Sequence, residues 1–163
     1  LEDILQIFEA AANAGATKLC IADSVGFLRP LSTRYLMSHI REGLPETVKK
    51  KVELSVHCHN DFGLATANTL AAVEEGVTYL HTCIAGFGER AGIAPFEEVA
   101  TVAELLYNID TGVDLGRVYR LAQSAGKAFA LPVQFHKPII GDGIFTHEVD
   151  QELEEMQARI AGC

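Results

Sequence analysis

His57 and His59 stand two residues apart in the stretch Val-Glu-Leu-Ser-Val-His-Cys-His-Asn-Asp-Phe-Gly, residues 52–63. An extended chain turns alternate side chains to one face. Glu53, Ser55, His57 and His59 therefore share one face, and Val52, Leu54, Val56 and Cys58 share the other. Two neutral imidazoles so placed can donate ring nitrogens to a single metal ion. The spacing alone is a weak signal, because six His in 163 residues produce such a pair by chance. A strand-end His is also more often a hydrogen-bonded structural residue than a ligand. Asn60, Asp61 and Gly63 follow at once, so the pair lies where a strand gives way to a loop. In α/β folds that edge is where ligands bind.

The elements that must position these residues repeat along the chain. Residues 2–14 read as a helix with Ile4, Ile7, Phe8 and Ala11 on one stripe, stopped by Gly15. Lys18–Ala22 is a short apolar strand, followed by the loop Asp23-Ser24-Val25-Gly26. The next helix starts after Pro30, with Ser32 or Thr33 as cap, and runs to about Glu42. The strand around 53–58 leads to a helix over about 64–75, with Asp61 the favoured cap. Thr78–Ile84 is a further strand, then comes the glycine-rich loop Gly86-Phe87-Gly88-Glu89-Arg90-Ala91-Gly92 and a helix from about Pro95 to Tyr107. Strand, loop and helix recur without hairpin turns, which predicts parallel strands with helical crossovers. Beyond Asn108 the rhythm stops. Asp114 caps a helix to about Phe129, buried along Leu115, Val118, Leu121, Ala122 and Ala125; residues 131–145 are irregular, and an acidic helix is predicted over about 148–161.

Composition limits the rest. The chain is long enough for one core and 48% hydrophobic, so it is globular. A net charge of −9 argues against non-specific nucleic-acid binding and leaves room for a small anion held by a local Arg. No apolar run approaches the roughly 20 residues of a membrane span. The four Cys lack metal-knuckle spacing, and Cys20, Cys58 and Cys83 fall in apolar strand patterns, which predicts buried free thiols and a reduced, cytoplasmic setting. The chain opens inside a helical pattern with neither initiator Met nor signal peptide, which predicts a fragment.

His57-Cys58-His59-Asn60-Asp61-Phe62-Gly63-Leu64-Ala65 with Ala67-Asn68, and then Gly86-Phe87-Gly88-Glu89-Arg90-Ala91-Gly92, resemble two motifs of the metal-dependent enzymes that condense a 2-oxo acid with an acyl-CoA. These are the 2-isopropylmalate, homocitrate and citramalate synthases of the DRE-TIM metallolyase superfamily. The resemblance covers residues 1–107 well and the tail more weakly. It implies an α/β fold, the second half (strands five to eight) of a TIM (β/α)8 barrel, with 108–163 as a helical and irregular extension. A full barrel needs about 250 residues. The family's Arg-Asp segment of the first strand, which supplies an acidic metal ligand, has no match here.

The same resemblance implies the site. His57 and His59 match the metal-binding imidazoles, for Mg²⁺, Mn²⁺ or Zn²⁺. Ser24 matches a hydroxyl that contacts the 2-oxo acid, with a plain turn hydroxyl the equal alternative. Asn60 orients ligands or caps the following helix. Glu89 and Arg90 match a pair that shapes the site, against the alternative of a surface ion pair. His147, in Phe145-Thr146-His147-Glu148, resembles the start of a Phe-x-His-Glu-x-Gly-x-His segment whose later His moves protons. Here Asp150 replaces the Gly and Glu152 stands where that His would be, a departure from the family's acid/base pattern. Ile93 replaces an Asn found in many synthases.

The expected partners are acetyl-CoA, a 2-oxo acid, the missing N-terminal half of the barrel and a second copy of the chain. Two alternatives stand beside the condensing enzyme. One is a hydroxymethylglutaryl-CoA lyase or aldolase that runs carbon–carbon cleavage, although those lyases carry Cys where this chain has Glu89-Arg90-Ala91. The other is a non-catalytic half-barrel that works as an assembly module.

Overall fold

The computed structural model describes residues 1–146; His147 and the predicted acidic helix lie outside the described residues. The order is α1 (Glu2–Asn13), β1 (Lys18–Asp23), α2 (Pro30–Gly43), α3 (Glu46–Lys49), β2 (Glu53–Cys58), α4 (Ala65–Glu74), β3 (Tyr79–His81), α5 (Phe96–Leu105) and α6 (Val118–Phe129). The strands form one parallel sheet in the order β1-β2-β3.

One face of the sheet is covered by helices. Leu19, Ile21, Val56 and Cys58 point into a core with Met37, Ile40, Leu44, Ala65, Ala72, Val77 and Val99. Met37 and Ile40 are wholly buried; a side chain so removed from water contributes about 1.5–3 kcal/mol. The other face is largely open. Lys18, Cys20, Ala22, Glu53, Tyr79 and His81 are exposed on it, because no element among the described residues lies over it. The register aligns Ala22, His57 and His81 in one row across the three strands.

Several expectations meet corrections. A fourth strand is not formed among the described residues: after β3 the ladder is continued by a single parallel pair, Cys83 with Pro95. Proline cannot donate to a ladder, which limits its growth there. The strand expected over Thr78–Ile84 shrinks to Tyr79–His81, and Ile84–Gly86 tightens into a 3₁₀ turn. Cys20 is exposed rather than buried, because it lies on the open face; Cys58 is buried and Cys83 half-buried. Ile7 is 63% exposed and Leu121 48% exposed, so the buried stripes run through Ile4, Phe8 and Ala12, and through Val118, Ala122 and Gly126. Neither Ser32 nor Thr33 caps α2: Arg29 is the cap residue, Pro30 fills the first turn, and the Thr33 hydroxyl donates back to the Arg29 carbonyl. Asp114 does cap as expected, accepting from the Gly116 N–H at the turn that leads into α6.

Candidate active site

The C-terminal ends of the three strands open into loops 23–28, 59–64 and 82–93, which meet above the sheet. His57 is held by the strand ladder, between Ala22 and His81. His59 lies one residue past the end of β2. Their rings nonetheless face each other, with Nε2 to Nε2 at 3.2 Å. Burial, then the neighbouring imidazoles of His59 and His81, lower the His57 pKa below that of free imidazole, while the Glu89 carboxylate opposes this. A lowered pKa keeps the ring neutral, the form that binds metals.

The separation fits a shared ion. Nitrogens each about 2.1 Å from one metal at bond angles of about 90–109° lie roughly 3.0–3.4 Å apart. Among the described residues no group of three or more His, Cys, Asp or Glu is placed to hold an ion, so the two imidazoles are an incomplete set. The other ring nitrogen of His59, Nδ1, is buried with no hydrogen-bond partner among the described residues.

The glycine-rich loop folds back on the sheet edge. Gly92 has φ +86, and a Cβ there would sit 1.9 Å from the Gly86 carbonyl oxygen. Only a residue without a side chain lets the loop close so tightly. The closure pairs Ile93 with His59, and the Asn60 N–H donates to the Gly92 carbonyl at 2.9 Å.

Arg90, itself at φ +58, does not serve mainly as the partner of Glu89. Its guanidinium grips Asp61 with two hydrogen bonds, at 2.7 and 2.9 Å, and donates to the Ser24 carbonyl at 2.7 Å. Glu89 is farther away, at 3.7 Å, with its side chain 82% exposed. The hydrogen bonds from Arg90 hold the Asp61 carboxyl below the usual carboxylate range. Asp61 is therefore not the helix cap. The cap residue of α4 is Leu64, without a side-chain cap bond, and Asn60 Oδ1, just upstream, accepts from the Ala65 N–H at 3.1 Å. Ser24 is exposed at the same edge. Asn60 and Arg90 also line an open cavity of about 460 Å³, together with residues 131–134 and Lys137.

The pattern of the HMGL-like family matches residues 1–124. The chain belongs to the HMGL-like family. It is 38% identical over 145 residues to the (R)-citramalate synthase of Methanocaldococcus jannaschii, covering 89% of this chain and 28% of that protein. It is 37% identical over 148 residues to the 2-isopropylmalate synthase of the same organism, covering 91% of this chain and 27% of that protein. The chain thus spans between a quarter and a third of the length of these relatives. The fold is similar to that of the hydroxymethylglutaryl-CoA lyase of Pseudomonas aeruginosa, with a TM-score of 0.66 and 24% identity over 80% of this chain and 45% of that one.

Within the HMGL-like fold, two residues escaped sequence reasoning. His81 shares the open face with His57, their ring centroids 5.5 Å apart. Alternation along Thr78–Ile84 could have signalled it, but not its row partner. Glu97 is wholly buried at the start of α5, where one oxygen accepts from the Ala85 N–H at 2.8 Å and the other has no partner among the described residues. Burial raises its pKa. Nothing in its spacing separates it from its neighbour Glu98, which binds Lys137 and Thr66.

Proposed function

We propose that this chain is part of a metal-dependent acyltransferase that condenses acetyl-CoA with a 2-oxo acid. The observation that carries the reading is the pair of imidazoles, His57 and His59, with Nε2 atoms 3.2 Å apart beside the loop that bears Glu89. Similarity to synthases named for citramalate and 2-isopropylmalate supports the reaction class. Near-equal identity to both gives no preference between their oxo acids.

In this reading His57 and His59 hold a divalent ion, Mg²⁺, Mn²⁺ or Zn²⁺, together with an acid from the complementary part of the barrel. Bound there, the ion supplies Lewis-acid polarisation of the keto carbonyl. Ser24 and Asn60 lie at the rim and orient the 2-oxo acid. Glu89 and Arg90 shape the site, with the exposed Glu89 carboxylate near His57. His147, outside the described residues, is proposed to serve proton transfer. In this reading the open edges of the sheet, beside β1 and beyond β3, are where complementary strands of a (β/α)8 barrel would pair, and the chain by itself has no turnover. A second copy completing an oligomer belongs to the same reading.

The test is thiol release from acetyl-CoA in the presence of a panel of 2-oxo acids and Mg²⁺, Mn²⁺ or Zn²⁺. The isolated chain is expected to bind the ion weakly and release no thiol. The full-length protein is expected to turn over and to lose activity in His57→Ala and His59→Ala. A full-length protein that releases no thiol with any oxo acid, or that keeps full rate without both imidazoles, would sink the proposal.

A further inference from the structure

The two imidazoles are held by different means. His57 belongs to the ladder, between Ala22 and His81. His59 lies beyond the strand, and its buried Nδ1 has no anchoring acceptor among the described residues. Apart from the 3.2 Å contact of its Nε2 with His57, its position depends on its backbone, which neighbouring loops hold from two sides. The His59 N–H donates to the Asp23 carbonyl at 3.3 Å, and residues 59–60 are bridged to 92–93.

The three loops are then locked from outside by one side chain. Arg90 reaches across from the glycine-rich loop, takes both oxygens of Asp61 and uses the same guanidinium to hold the Ser24 carbonyl. Close approach is built in: Gly26, at φ +65, lies where a Cβ would come within 2.8 Å of the His59 carbonyl and 3.0 Å of the Asp61 N–H. An ordinary exposed ion pair joins two flexible ends and holds little. This one is bidentate, planar and made to a third group, the geometry that only a guanidinium supplies.

We propose that Asp61 and Arg90 form a positioning clasp that binds loops 23–28, 59–64 and 86–93 together and sets the His59 ring against His57. The clasp makes Asp61 a positioning residue for the metal site. It leaves Arg90 committed to Asp61 and Ser24 rather than to an anionic substrate. The link to metal binding rests on the reading of His57 and His59 as ligands; the link between loops does not.

The experiment uses the chain as it stands, with Asp61→Asn, Arg90→Lys and, as a control, Arg34→Gln, which removes the surface pair of Arg34 with Glu74. Hydrogen exchange read by mass spectrometry is expected to rise in peptides covering 23–28 and 86–93 in both clasp variants and to stay unchanged in the control. Calorimetric titration with Zn²⁺ is expected to show affinity falling by roughly 10–100-fold in both, as for residues that orient metal ligands. Arg90→Lys keeps the charge and loses the fork, so its loss distinguishes geometry from a general field. Unchanged exchange in either distant loop overturns the clasp, whatever the titration gives. If the unaltered chain binds no Zn²⁺, the ligand reading fails, and exchange alone decides the clasp.

Discussion

Replacing Gly92 with Ala tests how the glycine-rich loop closes on the site. Gly92 has φ +86, and the new Cβ would lie 1.9 Å from the Gly86 carbonyl oxygen and 3.1 Å from its carbon. Forcing a side chain into a left-handed backbone costs about 1–2 kcal/mol. Contact between such atoms is comfortable only near about 3.5–4.0 Å, so the loop must part by more than an ångström. Two hydrogen bonds span that closure, Ile93 N–H to the Gly86 carbonyl at 3.2 Å and Asn60 N–H to the Gly92 carbonyl at 2.9 Å. Losing both costs about 1–3 kcal/mol at about 0.5–1.5 kcal/mol each. The expected destabilisation is therefore about 2–5 kcal/mol. Urea unfolding followed by circular dichroism measures it. Gly15→Ala is the matched control: Gly15 has φ +104 with no atom within 4 Å of the added Cβ, so it carries the conformational cost alone. If Gly92→Ala costs no more than Gly15→Ala, the loop is not closed as described and the reasoning fails.

Glu97→Gln keeps the acceptor for the Ala85 N–H and removes a buried charge. Because burial raises the folded pKa of Glu97 above its ordinary 4.5, the folded state holds the proton more tightly than the unfolded state. Wild-type stability is thus lost as pH rises through that window. The Gln variant should match wild type below the ordinary carboxylate range and be at least as stable at neutral pH, whereas Glu97→Ala should lose about 1–3 kcal/mol by orphaning the amide; urea midpoints across pH decide between them. The thiols should differ in reactivity. Burial pushes Cys58 up to about 11, so it stays protonated and inert, while Cys20 on the open face alkylates readily; peptide mapping after brief iodoacetamide treatment checks the order, and early labelling of Cys58 would contradict it.

Alternation around His57 and His59 pointed to one shared face, but only His57 is held in the strand; His59 lies past its end, where the loop contacts to Asp23 and Ile93 keep it beside His57. Helix positions, too, were legible from apolar spacing and from Gly15 and Pro30. Partners chosen across the fold were not. Arg90 is adjacent to Glu89 in sequence yet binds Asp61, because loop closure at Gly92 turns its guanidinium towards the neighbouring strand end. Asn60 and Asp61 are equally good caps by type. Across the fold Asn60 takes the Ala65 N–H, while Asp61 is bound by Arg90. Cys20 read as buried because its neighbours are apolar, but the side of the sheet it occupies carries no covering helix among the described residues.

What the sequence alone determined is local: the periodicity of each element, the glycines that permit sharp turns, and two motifs that mark the family. Tertiary structure decided which face of the sheet is covered, how far apart the imidazole nitrogens stand, and which carboxylate receives the arginine. These depend on residues tens of positions apart meeting in space, and periodicity along a chain carries no record of distance across it.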